Sequence, residues 1–368
     1  MLSSLEFLHY CRRFQNQLFS FCFFSAEHCR LLLMDLRVLH AARIRNVVFT
    51  PYDENLMRSF QTWIEAGDDF ILIHLRDGDD VSDSVVGSVS AALDRGQVPV
   101  VFVEFGEAVC DRDIRLQRDV FMLSELLGAK KMFFSIQDEG LRFGDDLQSY
   151  PTPESVRHAL SEGVALNMPA SRLEVLLCEQ ERTGIDVVLV GAREGSVFEE
   201  VFTHAGSGTL FSREYTNELR PAEAKDLREL MAIMTPQIAD GSLTAMSEDK
   251  LLELMPSFWV YTVNSQVVAG AALIEFGDAS ELSKLCTLPR YQAKGRARAV
   301  VEALLEKAQG EGRRYVFALT VQDYVGKFFE RIGFVRVARD ELPEAWKAQY
   351  DLTRPSKAYR YAFPGQVN

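Results

Sequence analysis

A glycine-containing turn followed at once by a helical pattern is the stretch of this sequence best suited to binding a phosphate group. Gln292, Gly295 and Ala297 fit the spacing Gln-x-x-Gly-x-Ala, and an apolar strand pattern ending at Leu288 precedes them. The first amides of a helix have no partner within the helix, and its dipole adds positive charge at that end. Small residues there let a pyrophosphate reach the backbone. The alternative is an ordinary solvated helix start, and the turn alone does not decide between the two.

Length, composition and charge limit the functions that this turn could serve. The chain has 368 residues, enough for two domains, and its 47% of apolar and 25% of charged residues are typical of globular proteins. A formal net charge of -13 leaves no basic excess, so we expect neither nucleic acid nor a membrane as a partner. The six Cys and six His show no metal-ligand spacing. We therefore expect reduced thiols, no metal and a cytoplasmic location.

The turn lies in a second α/β block, which we predict to span residues 215–368. Alternating apolar residues predict antiparallel strands over Phe258–Val263 and 267–276, followed by a strand over 280–288 that leads into the turn. After the turn, the patterns predict a helix over 295–310, the strand Tyr315–Thr320, a helix over 324–332, and a Gly-Phe step into the strand 334–338.

The order of strand, turn, helix, strand, helix and Gly-Phe step resembles the GNAT superfamily of acetyltransferases. In that family the turn has the form Arg/Gln-x-x-Gly-x-Gly/Ala and binds the pyrophosphate of acetyl-CoA. The resemblance implies a GNAT α+β domain with a mixed sheet and acetyl-CoA as co-substrate. It places the cofactor against the end of the preceding strand and the turn, at Leu285, Cys286, Thr287, Gln292, Ala293, Lys294, Gly295, Arg296 and Ala297.

The tail of the chain carries a more specific resemblance. Leu342-Pro343-Glu344, then Tyr350, then Arg354-Pro355-Ser356-Lys357 are similar to the N-acetylglutamate synthase family, and generic GNAT enzymes lack such a tail. Members of that family transfer acetyl from acetyl-CoA to the α-amino group of L-glutamate, the first step of arginine biosynthesis. Two other interpretations stay open. One is a GNAT enzyme for another small amino acid or a protein lysine, and the other is a non-catalytic sensor of acetyl-CoA or an amino acid.

An amino-acid acceptor requires cations for its carboxylates and a base for its amine. Arginine holds a carboxylate through two parallel hydrogen bonds, and lysine holds it as a point charge. The resemblance assigns substrate binding to Lys284 and Arg354, with Ser356 as a hydrogen-bonding partner. Because the amine must lose a proton before it attacks the thioester, we predict Glu281 as the base. Without the resemblance, surface charges would be the preferred interpretation of both cations.

The sequence indicates the oxyanion site and the general acid less specifically than it indicates the substrate-binding cations. Backbone amides near residues 285–287 are expected to hold the tetrahedral oxyanion. Many relatives carry a tyrosine just before the Gly-Phe step as the acid, but this chain has Phe329 there, so the role is absent or falls to Tyr324. Cys286 could form an acyl intermediate, but no histidine lies near it in sequence, and we interpret it as a packed residue.

The first block, which we predict to span residues 34–214, has the pattern of a parallel sheet covered by helices on both faces. Its segment Phe202-Thr203 to Gly208-Thr209 resembles the closing signature of the amino acid kinase fold. The resemblance implies a kinase-like parallel-sheet sandwich. In the N-acetylglutamate synthase family such a domain binds L-arginine as a feedback inhibitor and assembles oligomers, so an L-arginine effector and a homo-oligomer are expected here. No Gly-Gly occurs in residues 44–80, where the Lys-Gly-Gly phosphate turn is expected, so we predict that kinase activity has been lost.

Residues 1–33 differ from both blocks. A Phe-rich stretch over residues 17–26 follows Arg12-Arg13, as it does in a signal peptide, but the stretch is short and no clean cleavage site follows it. We expect this segment to be a poorly ordered leader or a mis-assigned start.

Overall fold

The computed structural model describes residues 4–65, 69–76, 84–106, 111–203, 206–213, 217–263, 266–292 and 295–363. The chain folds into two compact units, Met1–Arg213 and Glu214–Asn368. Among the helices in the described ranges, none combines the length and the hydropathy that crossing a bilayer requires.

The first unit is built around a seven-stranded sheet. Its strands, and the small β6–β7 hairpin beside it, are β1 (Leu18–Cys22), β2 (Arg45–Pro51), β3 (Phe70–Leu75), β4 (Val98–Val103), β5 (Lys131–Ile136), β6 (Arg142–Phe143), β7 (Asp146–Leu147), β8 (Asp186–Gly191) and β9 (Thr209–Phe211). The sheet has the order β3-β4-β2-β1-β5-β8-β9, and every neighbouring pair is parallel except β8 with β9. The predicted parallel sheet is confirmed.

Helices cover both faces of this sheet, as continuous apolar strands require. They are α1 (Ser4–Phe14), α2 (Ala26–Ala41), α3 (Glu54–Glu65), α4 (Ser84–Asp94), α5 (Arg112–Leu126), α6 (Pro153–Ser161), α7 (Ala170–Thr183) and α8 (Ser196–Phe202). α4, α5 and α7 share one buried cluster with alternate residues of β1 and β2. On the other face, α8 packs against both α1 and α2.

The expectation that residues 1–33 form a poorly ordered leader is wrong for the part that the structure describes. β1 lies in this segment and occupies the middle of the sheet, between β2 and β5. All of its residues are buried, and the ring of Phe21 stacks on Phe133 with centroids 4.7 Å apart. A strand covered on both faces loses its polar alternation. For this reason the Phe-rich run resembles a leader when only its sequence is considered.

The second unit has a seven-stranded sheet of mixed direction. Its strands are β10 (Asn217–Pro221), β11 (Phe258–Val263), β12 (Gln266–Phe276), β13 (Ala279–Thr287), β14 (Tyr315–Thr320), β15 (Val335–Val337) and β16 (Lys357–Ala362). They are ordered β10-β11-β12-β13-β14-β16-β15, with β13 and β14 parallel and the other neighbouring pairs antiparallel. The predicted α+β fold with a mixed sheet is confirmed.

The helices of this unit are α9 (Leu227–Ala239), α10 (Glu248–Leu254), α11 (Arg296–Gly310), α12 (Asp323–Ile332) and α13 (Glu344–Lys347). Two hydrophobic clusters pack α11, α12 and α13 against the two faces of the sheet. α11 buries Val300 and Leu304 against Leu282 on one face. On the other face, Trp346 of α13 joins Phe317 in a second cluster.

The parallel pair at the centre of this sheet separates before it ends. Pairing between β13 and β14 stops at Leu282 opposite Ala318, although both strands continue. One residue later β13 bulges: its register with β12 shifts between Gly270 and Ala272, and Lys284 takes the left-handed φ of 57°. A bulge increases local twist and redirects side chains. The strands therefore diverge where the predicted site residues begin.

Candidate active site

A cleft of about 410 Å³ opens where β13 and β14 diverge. Residues from β13, the turn before α11, the end of β14, α12, the segment between α9 and α10, and the tail form its walls. The cleft brings together every predicted site residue that the structure describes, namely Glu281, Lys284, Leu285, Cys286, Thr287, Gln292, Gly295, Arg296, Ala297, Tyr324, Arg354 and Ser356. The other two predicted residues, Ala293 and Lys294, lie outside the described part of the chain.

The N-terminus of α11 provides donors at one end of the cleft. Gly295 is its N-cap with a φ of 78°, a conformation that glycine adopts without the strain of a Cβ, and no described side chain caps the helix. Gln292 donates from Nε2 to the carbonyl of Thr287, 3.4 Å away, which connects the turn to the end of β13. The helix has 15 residues, and its first-turn amides and dipole are suited to binding an anion.

Glu281 is the carboxylate of the cleft. It pairs in register with Ile274 of β12 and Phe317 of β14, so its side chain lies on the face that carries the second hydrophobic cluster. Burial there raises its pKa to about 7, against the opposing effects of the Lys284 charge and of hydrogen bonds from Ser283 and Trp346. A carboxyl group with a pKa near neutrality is suited to proton transfer.

Lys284 reaches the cleft because of the β13 bulge. Its ammonium donates to the carbonyl oxygen of Thr244 at 3.1 Å and to the hydroxyl of the same residue. Burial lowers the pKa of Lys284; the charge of Glu281 opposes this change, and that of Arg354 adds to it. Alternation along the strand could not assign the face of this residue, because the bulge interrupts the alternation.

Arg354 and Ser356 enter from the tail. Nη2 of Arg354 donates to the carbonyls of Gly241 and Ser242, at 2.6 and 2.7 Å. Ser356 is buried, and its hydroxyl accepts a hydrogen bond from Tyr350 at 2.9 Å. Residues 241–244 thus supply oxygen atoms to both Lys284 and Arg354. The sequence does not predict this role, since each of these contacts joins residues at least 40 positions apart.

Of the two remaining predicted polar groups, Cys286 is buried and Tyr324 is exposed. Burial raises the pKa of Cys286 to about 12, and its Sγ faces the Gly270 carbonyl at 3.5 Å, as expected of a packed thiol. Tyr324 is 64% exposed on the first turn of α12, within reach of the cleft, whereas Phe329 is buried. No set of three or more His, Cys, Asp or Glu in the described ranges is grouped to hold a metal ion.

Comparisons with known proteins agree with this geometry. Residues 231–347 match the family described as acetyltransferase (GNAT) domain. An amino-acid acetyltransferase of Pseudomonas fluorescens SBW25 is 30% identical over 173 residues, covering 46% of this chain and 40% of the relative. That of Pseudomonas syringae pv. tomato DC3000 is 31% identical over 173 residues, with the same coverage. The chain thus spans about two fifths of the length of these curated relatives.

A solved structure covers both units. The crystal structure of N-acetylglutamate synthase from Neisseria gonorrhoeae, complexed with coenzyme A and L-arginine, covers 98% of this chain and 98% of its own. The TM-score is 0.58 at 18% sequence identity, which establishes a shared fold. The resemblance inferred from the tail and the turn is confirmed: residues 231–347 of the second unit match the GNAT acetyltransferase domain, and the chain as a whole has the fold of N-acetylglutamate synthase.

Proposed function

We propose that this protein is an N-acetyltransferase that moves the acetyl group of acetyl-CoA to the α-amino group of L-glutamate. The observation that carries the proposal is the composition of the cleft. It combines a helix N-terminus open to a pyrophosphate, a carboxyl group with a pKa of about 7, and two cations at its other end. The names of the relatives point to the same reaction class.

Acetyl-CoA would bind along the divergent strands. Its pyrophosphate would accept hydrogen bonds from the first amides of α11, with Gln292 and Arg296 beside it. Its thioester would lie against residues 285–287, where no described strand pairs with β13 on the β14 side. A backbone amide on that unpaired edge would hold the oxyanion of the tetrahedral intermediate.

The acceptor would bind at the cationic end. Lys284 and Arg354 donate to neutral oxygens of residues 241–244, and carboxylates accept stronger hydrogen bonds from cations than carbonyls do. Two cations match the two carboxylates of glutamate, and Ser356 adds a hydroxyl beside Arg354. This count favours a dicarboxylic amino acid over a neutral one.

Glu281 would remove a proton from the α-ammonium group of the acceptor. The free amine then attacks the thioester carbonyl carbon, a C–N bond forms, and the C–S bond breaks as the intermediate collapses. The CoA thiolate takes a proton from an acid, for which we propose the phenol of Tyr324 at the cleft, and the surplus proton on the nitrogen of the intermediate restores that phenol. Because the pKa of Glu281 is about 7, a useful fraction of it is deprotonated at neutral pH.

The test is a thiol-release assay with acetyl-CoA and each of the twenty amino acids. We expect glutamate to give the highest kcat/KM, with aspartate second because it carries the same charges on a shorter chain. Equal rates with glutamate and glutamine would refute the acceptor, since glutamine keeps the shape and loses one carboxylate. Binding of acetyl-CoA without turnover of any amine would favour the sensor instead.

We further propose that the first unit does not transfer phosphate. The turn after β1 is Phe23-Phe24-Ser25, with neither the lysine nor the glycines that would hold a γ-phosphate. The guanidinium of Arg172 lies 3.9 Å from the centroid of the Phe24 ring and donates to Asp113 at 3.0 Å, so side chains occupy this position. ATP hydrolysis above the rate of a denatured control would refute the proposal.

L-arginine as an effector, assembly into a homo-oligomer and a cytoplasmic location are also proposals. The gonococcal protein was crystallised with L-arginine and shares the whole-chain fold. Calorimetric titration of the full chain with arginine tests the first proposal, and light scattering with and without arginine tests the second. A cytoplasmic location suits thiols such as Cys22 and Cys29, which are free and buried in the first unit.

A further inference from the structure

The indole of Trp346 lies in the second hydrophobic cluster, on the face of the sheet that carries Glu281. Trp346 is on the short helix α13, is 1% exposed, and crosses the ring of Phe317 edge-on with centroids 5.8 Å apart. Phe317, which the indole contacts, is also the β14 residue paired in register with Glu281, and the Trp346 side chain lowers the pKa of the Glu281 carboxyl group as a hydrogen-bond donor does. Since the indole N–H can only donate, one carboxylate oxygen of Glu281 is the acceptor.

The ring of the same indole also contacts the tail. Tyr350 stacks on Trp346 with ring centroids 4.4 Å apart and an interplanar angle of 27°. The hydroxyl of Tyr350 then donates to Ser356 Oγ at 2.9 Å. A continuous series of contacts therefore runs from the carboxylate of Glu281, through two aromatic rings, to the hydroxyl of Ser356.

We propose that Trp346 is a positioning residue for acetyl transfer, holding the Glu281 carboxylate with its N–H and the Tyr350–Ser356 pair with its ring. The inference rests on the proposed function of the cleft. A base must keep one oxygen directed at the proton that it removes, and a freely rotating carboxylate does so only part of the time. Trp346 can fix that orientation because Phe317 and Tyr350 restrict its own ring.

The groups facing Glu281 show what the loss of the indole N–H would do. The charged group that acts on the carboxyl group of Glu281 is Lys284 of β13, and Arg354 of the tail acts in turn on Lys284. Residues 241–244 contribute carbonyls and hydroxyls, while β12 and β14 contribute Ile274 and Phe317. Without the indole N–H, the carboxylate would keep Lys284 and the Ser283 hydroxyl but lose a buried donor. Its charged form would become less stable.

The first experiment compares the pH dependence of kcat/KM for glutamate in the wild type and in Trp346→Phe. A base is active when deprotonated, so kcat/KM rises with pH through the pKa of Glu281. A lost hydrogen bond to a charged group corresponds to about one pKa unit, so we expect the acidic limb of the variant to move up by roughly one pH unit. At pH 7 the rate should fall about fivefold from this shift, and it should recover towards the wild-type value at pH 9.

The matched control is Leu342→Ala, in the same buried cluster. It removes a similar apolar volume and keeps the indole N–H, so it should lower the melting temperature without moving the acidic limb. Tyr350→Phe keeps the stacked ring and loses the bond to Ser356. It should raise the KM for glutamate and likewise leave the limb in place. If Leu342→Ala moves the limb as far as Trp346→Phe, or if Trp346→Phe leaves it in place, the positioning role is refuted.

A second measurement does not depend on turnover. The chain has three tryptophans, and an indole that donates to a carboxylate changes its emission when that carboxylate is protonated. In the free wild type, we expect an emission titration with a midpoint near the Glu281 pKa of about 7, absent from Glu281→Gln. If the emission of the wild type titrates but the protein acetylates no amino acid, the Trp346 contact is supported and the proposed reaction is refuted. Identical pH profiles of emission in the wild type and in Glu281→Gln would refute the contact between Trp346 and Glu281.

Discussion

Arg354→Ala separates acceptor binding from cofactor binding more sharply than any other substitution in the cleft. The guanidinium donates two hydrogen bonds to carbonyls at 2.6 and 2.7 Å, and we propose that a substrate carboxylate takes their place. Acetyl-CoA is proposed to bind at the α11 end, away from this group. The variant should therefore raise the KM for glutamate and leave the KM for acetyl-CoA nearly unchanged.

The magnitude follows from the kind of bond that is lost. A hydrogen bond to a charged group contributes about 1.5 to 3 kcal/mol, which corresponds to roughly a 10- to 100-fold weaker acceptor binding. In the wild type, Arg354 must break its hydrogen bonds to two carbonyls before it binds the acceptor. This cost offsets part of the binding free energy that Arg354 contributes, so we expect the lower half of that range. Arg354→Lys should recover a small part of the loss, since lysine cannot form the bidentate contact.

The assay is steady-state thiol release with one substrate varied while the other is saturating. Arg360→Ala is the matched control: Arg360 lies on β16 of the same unit and pairs with Glu341 at 3.5 Å, but it is not part of the cleft wall. It should change neither KM by more than about twofold, as expected when a half-exposed ion pair is removed. An equal rise in both KM values for Arg354→Ala, or no rise for glutamate, would contradict the assigned role.

Three further substitutions test the chemistry and the packing. Glu281→Gln should lower kcat/KM by about 100-fold or more and abolish the rise of activity with pH near the wild-type pKa of about 7; an unchanged pH profile would remove Glu281 as the base. Cys286→Ala should keep activity within about threefold, because a thiol that stays protonated cannot act as a nucleophile, and inactivity with intact folding would reopen the acyl-cysteine route. Gly326→Ala should destabilise the second unit by about 1 to 3 kcal/mol in thermal unfolding, since its new Cβ would lie 2.2 Å from Tyr359 Oη. Gly310→Ala, whose Cβ would meet nothing within 4 Å, is its control and should be neutral or stabilising.

Local pattern predicts most of the secondary structure and fails in two informative places. Strands β11 and β14 have the predicted bounds, because the alternation that marks them acts within a few residues. β1 is not predicted, because burial on both faces removes the alternation of polar and apolar residues that marks a strand. β16 and α13 are not predicted either, because a four-residue helix and an edge-proximal strand leave little periodic signal.

The amino-acid sequence by itself determined the reaction class that we propose and the residue types of the cleft. The turn before α11 is a local feature, and the tail motif brought Arg354 and Ser356 into the same site by resemblance. Only the tertiary structure decided how those groups are held. The bulge at Lys284, the oxygens of residues 241–244 and the indole near Glu281 all depend on contacts between distant segments. Such contacts form only when the sheet assembles, because no periodicity within one segment encodes which other segment will pack against it.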